Sequence, residues 1–139
     1  MSMTSRERLD AALSHRQPDR IPVDFNGTAV TGMHVKCVIG LRDHYGLEKR
    51  LVKVHEPYQM LGWIDDDLQV ALGIDVEGVY GPDTMFGYRN ENWTPWRMDD
   101  GTEVLMSGNF RTAKDANGDT LVFPAGDRTA PPSGRLPKN

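Results

Sequence analysis

Four groups of side chains in this sequence have the types from which sites are built. His34 and Cys37 stand three residues apart and share one face of any helix that carries them. Two such ligands begin a zinc site, but a structural site takes four, and His15, His44 and His55 add no ligand spacing. Cys37 is therefore expected as a small buried hydrophobe, and no metal site is expected within the chain. Asp65, Asp66 and Asp67 form a run of carboxylates. Consecutive helical residues point about 100° apart, so the three cannot converge on one ion and read as a solvated helix face. The stretch "GTAVTG", residues 27–32, lacks both the glycine spacing of a dinucleotide site and the lysine of a P-loop, leaving only backbone amides to offer an anion. Trp63, Trp93 and Trp96 have no basic stripe beside them and read as packing rather than as a base-stacking platform. Nucleophile-elbow, H-E-x-x-H and C-x-x-C patterns are missing, so residue types alone assemble no catalytic set.

The elements that would position these groups follow from periodicity and punctuation. Thr4-Ser5-Arg6-Glu7 fits a capping box, with Leu9, Ala12 and Leu13 on one helical face and Pro18 as the stop. Ile21, Val23 and Phe25 predict a strand over 21–25 that breaks at Asn26-Gly27-Thr28. A second helix is expected over 33–45, with Val35, Val38, Ile39 and Arg42 in its interior and Gly46 beyond its end. A short strand at 51–54 precedes a third helix over 58–72, closed by Gly73, and 74–81 reads as a further strand. Two hairpins then follow, 93–106 around "DDG" and 110–123 around "ANGD". The Pro/Gly-rich stretch 125–139 reads as irregular. Strands alternating with helices in the first part predict an α/β arrangement with a parallel sheet. Ligands gather at the carboxyl ends of such strands, which singles out Asn26 to Thr28 and Gly81 to Asp83.

Size and charge narrow the function classes. A chain of 139 residues fits one domain, with a hydrophobic fraction of 38% and a net charge of −4. That balance gives no electrostatic case for nucleic acid. No apolar run approaches the ~18 residues of a membrane span, and charges stand where a signal peptide needs its apolar stretch. Cys37 is the one cysteine and has no internal disulfide partner. A soluble cytoplasmic protein is expected.

Three stretches carry a family resemblance: "MTSRERLDAALSHRQPDRIPVDF", then "TGMHV", then "EPYQMLGWIDDDLQVALGIDVEGV". Together they resemble the start of the uroporphyrinogen decarboxylase family, most closely the branch that includes corrinoid-dependent methyltransferases. "NENWTPWRMDDGTEV" and "PPSGRLPK" are similar to the same branch. The resemblance implies the N-terminal portion of a TIM barrel, with 21–25 and 74–80 as its first two strands. It divides the chain into barrel units at 1–91, a β-hairpin section at 92–124 and an irregular tail at 125–139. A full barrel takes about 250 residues, so an incomplete one is expected. In intact relatives the reaction would be methyl transfer from a corrinoid to a thiol, or a decarboxylation. Zinc and a corrinoid, with a corrinoid protein as partner, are implied for those relatives, and no cofactor for this chain alone.

The arginine-bearing motif of true porphyrinogen decarboxylases is replaced here by "FNGTAVTG", which argues against that reaction. Asp83 falls within about one residue of the family's second-strand aspartate and is the candidate catalytic residue. Asn26, Thr28 and His34 are candidates for substrate-binding wall. The alternative is a non-catalytic binding or oligomerisation module. In either case the unpaired sheet edges of a part-built barrel lead one to expect a homo-oligomer.

Overall fold

Thr4 opens the first helix as its position requires. Its hydroxyl accepts from the Glu7 amide at 3.3 Å, while the Glu7 carboxylate accepts from the Thr4 amide at 2.8 Å. The computed structural model describes residues 2–136, and this helix, α1, spans Ser5–Leu13. It ends before Pro18, with His15 already in left-handed backbone at φ 55°. Its inner face is Ala11 and the charged Arg8. Arg8 donates to Asp19 at 2.7 Å and also to Asp75, which in turn accepts from Arg20 at 2.7 Å. The Asp75 carboxylate is fully enclosed. Burial pushes its pKa up, but the Val23 amide, Ser5, Arg20 and Arg8 outweigh that and bring it down to about 2.

The expected barrel fails at this point. Neither 21–25 nor 74–80 forms a strand. Their hydrogen bonds to each other run between Val23 and Asp75: the Asp75 amide donates to the Val23 carbonyl at 2.8 Å and the Asp75 carboxylate accepts from the Val23 amide at 3.0 Å. A side chain thus takes the donor that a ladder partner would have taken. Ile21 and Val79 lie 83% and 99% exposed, so no apolar layer drives these segments into a sheet. The strands that do form pair antiparallel, in sheets of two or three. The α/β barrel portion is therefore corrected to a mainly β arrangement carrying three short helices among the described residues.

Helix α2, Val35–His44, begins where the His34 ring caps it, Nδ1 accepting from the Lys36 amide at 3.2 Å. Val35, Val38 and Arg42 form its buried face, and Gly46 and Gly73 adopt left-handed backbone just beyond the second and third helices. The third helix is shorter than its periodicity predicts: α3 is Asp66–Leu72 only. Upstream of it the chain makes a hairpin of β1, Val54–Glu56, and β2, Leu61–Gly62, which also moves the strand expected at 51–54. Two residues explain the change. Glu56 accepts the amides of Tyr58 and Gln59 at 3.0 and 2.8 Å, making a turn where a helix would have begun. Gly62 passes so close to α2 that a Cβ would lie 2.9 Å from the Val35 Cα. Asp66 in the aspartate run is exposed, as expected, but its two neighbours are paired. Asp67 accepts from Arg42 at 2.8 Å and also from Arg50, and Asp65 lies 3.7 Å from Arg42.

Both hairpins form around the expected turns. β3, Thr94–Arg97, pairs with β4, Glu103–Met106, setting Trp96 opposite Val104. β5, Thr112–Lys114, pairs with β6, Thr120–Val122, across a turn in which Gly118 takes φ 86°. The tail is not wholly irregular: β7, Gly134–Leu136, adds a third strand beside β6. Arg135 holds it there through Asp115 and Asp119. Gly134 packs under the Phe86 ring with no room for a Cβ. Residues 137–139 of the expected tail lie outside the described residues. One apolar cluster joins the molecule from α2 onward: Val35, Val38, Ile64 and Leu68 meet Phe86, Val104, Met106 and Val122. The link is β4, whose Leu105 amide donates to the Val52 carbonyl at 2.9 Å beside a parallel bridge to Lys53.

Candidate functional site

The run Val52-Lys53-Val54-His55 alternates. Val52 and Val54 enter the core, while Lys53 and His55 line a cavity of about 610 Å3. The hairpin beyond β1 supplies Trp63, whose amide is fixed at 2.7 Å on the Lys53 carbonyl. The loop after α3 supplies Tyr80 and Asp83, and the approach to β3 supplies Trp93. The cavity is thus walled by both parts of the molecule.

His55 is its most enclosed polar group, 6% exposed. Its ring stands edge-on to Trp63 at 5.6 Å and tilted to Tyr80 at 5.0 Å, and those two rings are 5.5 Å apart. Its Nε2 has no hydrogen-bond partner among the described residues. Burial pushes its pKa down to about 4, so the imidazole is neutral at neutral pH. The Tyr80 hydroxyl donates to the Asn26 carbonyl. Burial first, and then Asp24, push the phenol's pKa up, so it stays protonated. Glu56 is tied to the amides of its own turn, and Asp83 lies 3.7 Å from Arg89 on the rim. A neutral ring cluster with carboxylates at its margin suits reversible binding.

The residues singled out from sequence are distributed unevenly. Asp83 lines the cavity. Asn26 lies behind its wall, buried at φ 78°, with its carbonyl on Tyr80 and its Oδ1 unpartnered among the described residues. Thr28 organises its own loop, its hydroxyl accepting from the Val30 amide at 3.2 Å, and its neighbour Ala29 is the residue of that loop that reaches the cavity. His34 is elsewhere, serving as the cap of α2. Cys37 is exposed rather than buried. Trp96 packs against Phe110 at 5.7 Å, while Trp63 and Trp93 face the cavity.

Sequence reasoning missed His55, Trp63, Tyr80 and Trp93 as one group. The alternation through "VKVH" was the available signal, since it places Lys53 and His55 on the side opposite two core valines. Among the described residues, no cluster of three or more His, Cys, Asp or Glu is placed to hold a metal, and no helix is long and apolar enough to cross a membrane. No protein-family model, curated protein or solved structure matches the chain.

Proposed function

We propose that the chain binds a small organic molecule in the cavity between Trp63, Tyr80, His55 and Asp83, as the front portion of a uroporphyrinogen decarboxylase-like protein of the methyltransferase-type branch. The observation that carries the binding reading is the cavity itself. At about 610 Å3 it falls within the range of small-molecule sites, and its aromatic walls include one neutral imidazole whose Nε2 has no partner among the described residues. The family reading rests on the run from "SRERLDAAL" through "HRQPDRIPV" to "ALGIDVEGV". In that context intact relatives move a methyl group from a corrinoid to a thiol, and this chain supplies ligand wall rather than reacting groups. The described residues do not fit zinc: His34 uses Nδ1 to cap its helix, and no third ligand stands near it and Cys37. No step through zinc or a corrinoid is assigned to this chain.

Titration with indole, followed by two-dimensional 1H–15N NMR, tests the binding reading. The side-chain N–H signals of Trp63 and Trp93 should shift saturably, and Trp63→Ala should weaken binding by about tenfold, the loss expected for an aromatic wall. Unmoved indole signals would overturn it. The family reading is tested by the reading frame downstream, which should encode a His-x-Cys segment and a later cysteine. An assembly role is the second reading, favoured by Ile21, Val30 and Val79 at 83%, 93% and 99% exposed. Sedimentation at micromolar concentration separates it, a monodisperse monomer speaking against it.

A further inference from the structure

We infer that the occupant of the cavity is an organic cation whose charge is shielded by apolar substituents, a quaternary ammonium being the type; the inference rests on the binding reading above. Tyr58, Trp63, Tyr80 and Trp93 present aromatic surface to the cavity, and Glu56 and Asp83 are its carboxylates. Aromatic faces carry negative potential and attract cations within about 6 Å of the ring centroid. One wall already shows that preference. The Lys53 ammonium lies 5.5 Å from the centre of the Trp93 ring. Lys53 makes no ion pair among the described residues, while its backbone is pinned by the Trp63 amide and the bridge to Leu105. Its ammonium is therefore a tethered occupant of a cation position, held by the ring and displaceable by a cation from solution.

The hydrogen-bonding state of the walls narrows the class. Both Glu56 oxygens accept backbone amides, at 3.0 and 2.8 Å, and Asp83 faces Arg89. A primary ammonium brings three N–H donors that need acceptors, whereas Glu56 already shares its oxygens with two amides and Asp83 lies out on the rim beside Arg89. A quaternary ammonium brings none, so aromatic surface alone is enough to receive it. Anions are disfavoured by the same two carboxylates. The neutral His55 ring adds surface and no opposing charge.

Choline and its uncharged isostere 3,3-dimethylbutan-1-ol, titrated under the same NMR observation of the tryptophan N–H signals, test the inference on the full chain. Choline should bind about fivefold more tightly than the alcohol, in keeping with a partly solvated cation–π site. Lys53→Gln, at an exposed position, should tighten choline by about threefold or more by removing the tethered competitor and its like charge. Equal or tighter binding of the alcohol overturns the inference, and so does a Lys53→Gln variant that binds choline no better or worse. If choline and the alcohol both leave the signals unmoved while indole shifts them, the ligand class is wrong and the cavity reading stands. If indole is silent as well, the two fail together.

Discussion

The two ends of the chain are held by different physics. Around α1 the decisive contacts are between charges, Arg8 with Asp19 and Asp75, and from Val35 to Leu68 an apolar core is joined by a second charged group, Arg42 and Arg50 with Asp67. From Phe86 onward the decisive contacts are apolar, with Val104, Met106 and Val122 each no more than 1% exposed beneath two hairpins. The ion pairs of the hairpin section, such as Arg97 with Glu103, lie on the surface, where such pairs contribute little. An enclosed carboxylate such as Asp75 is different. Its guanidinium partners stabilise the fold only as a set, and losing one member leaves charge stranded.

Substitution at the centre of the charged network should have the largest effect. Asp75→Ala leaves Arg8 enclosed without one of its carboxylates and should cost about 3–5 kcal/mol in denaturant unfolding. Amide exchange should rise first around α1 and 21–25, with the hairpins staying protected. Uniform loss of protection would mean that the two regions unfold as one.

Met106→Ala is the converse experiment. It removes a core side chain that is 1% exposed and should cost about 2–5 kcal/mol, with β3–β6 exchanging first. If α1 loosened before the hairpins did, the hairpin section would not be a separately held region.

Acid sharpens the comparison with a smaller effect. The folded pKa of His55 is depressed from the ordinary 6.5 to about 4 by burial, so below 6.5 the unfolded chain takes up a proton that the folded one does not. Its contribution is complete above about pH 6.5 and is lost as pH falls towards 4, amounting to roughly 2 kcal/mol between pH 7 and pH 5. Asp75, held down to about 2, keeps its charge throughout that window. Unfolding curves at pH 7 and pH 5 should differ by at least that amount for the parent chain, and in His55→Phe the difference should shrink to what His34, also pushed down by burial, contributes. An undiminished difference in the variant would place the acid-sensitive group elsewhere.

What the sequence discloses follows the same line. The capping box of α1 and the two hairpins are local. Thr4 and Glu7 find each other across three residues, and Asp-Gly and Asn-Gly tolerate their turns wherever they occur. The strands expected at 21–25 and 74–80 are apolar enough to read as sheet, but a carboxylate 52 residues from Val23 takes the decisive amide. The helix expected over 58–72 has the right periodicity, yet Glu56 turns the chain first, and periodicity carries no sign of that competition. At the site, Asp83 was legible as a strand-end residue, although the strand behind it did not form. His55 was not, because its importance comes from Trp63 and Tyr80, which reach it only in the folded chain.

The span between Arg8 and Asp75 is also a matter of time. These partners lie 67 residues apart, whereas Arg97 and Glu103 are separated by six. A hairpin closes within about 1–10 μs once its residues are free, so each of the two here is complete soon after it is made. On a ribosome adding about 5–20 residues per second, Arg8 waits roughly 3–13 s after its own synthesis before Asp75 is polymerised. Throughout that interval α1 has its capping box and Asp19, but not the carboxylate that ties it to the rest of the molecule. The first helix is therefore held by local contacts alone until Asp75 follows it, and is fixed in place before either hairpin has been made.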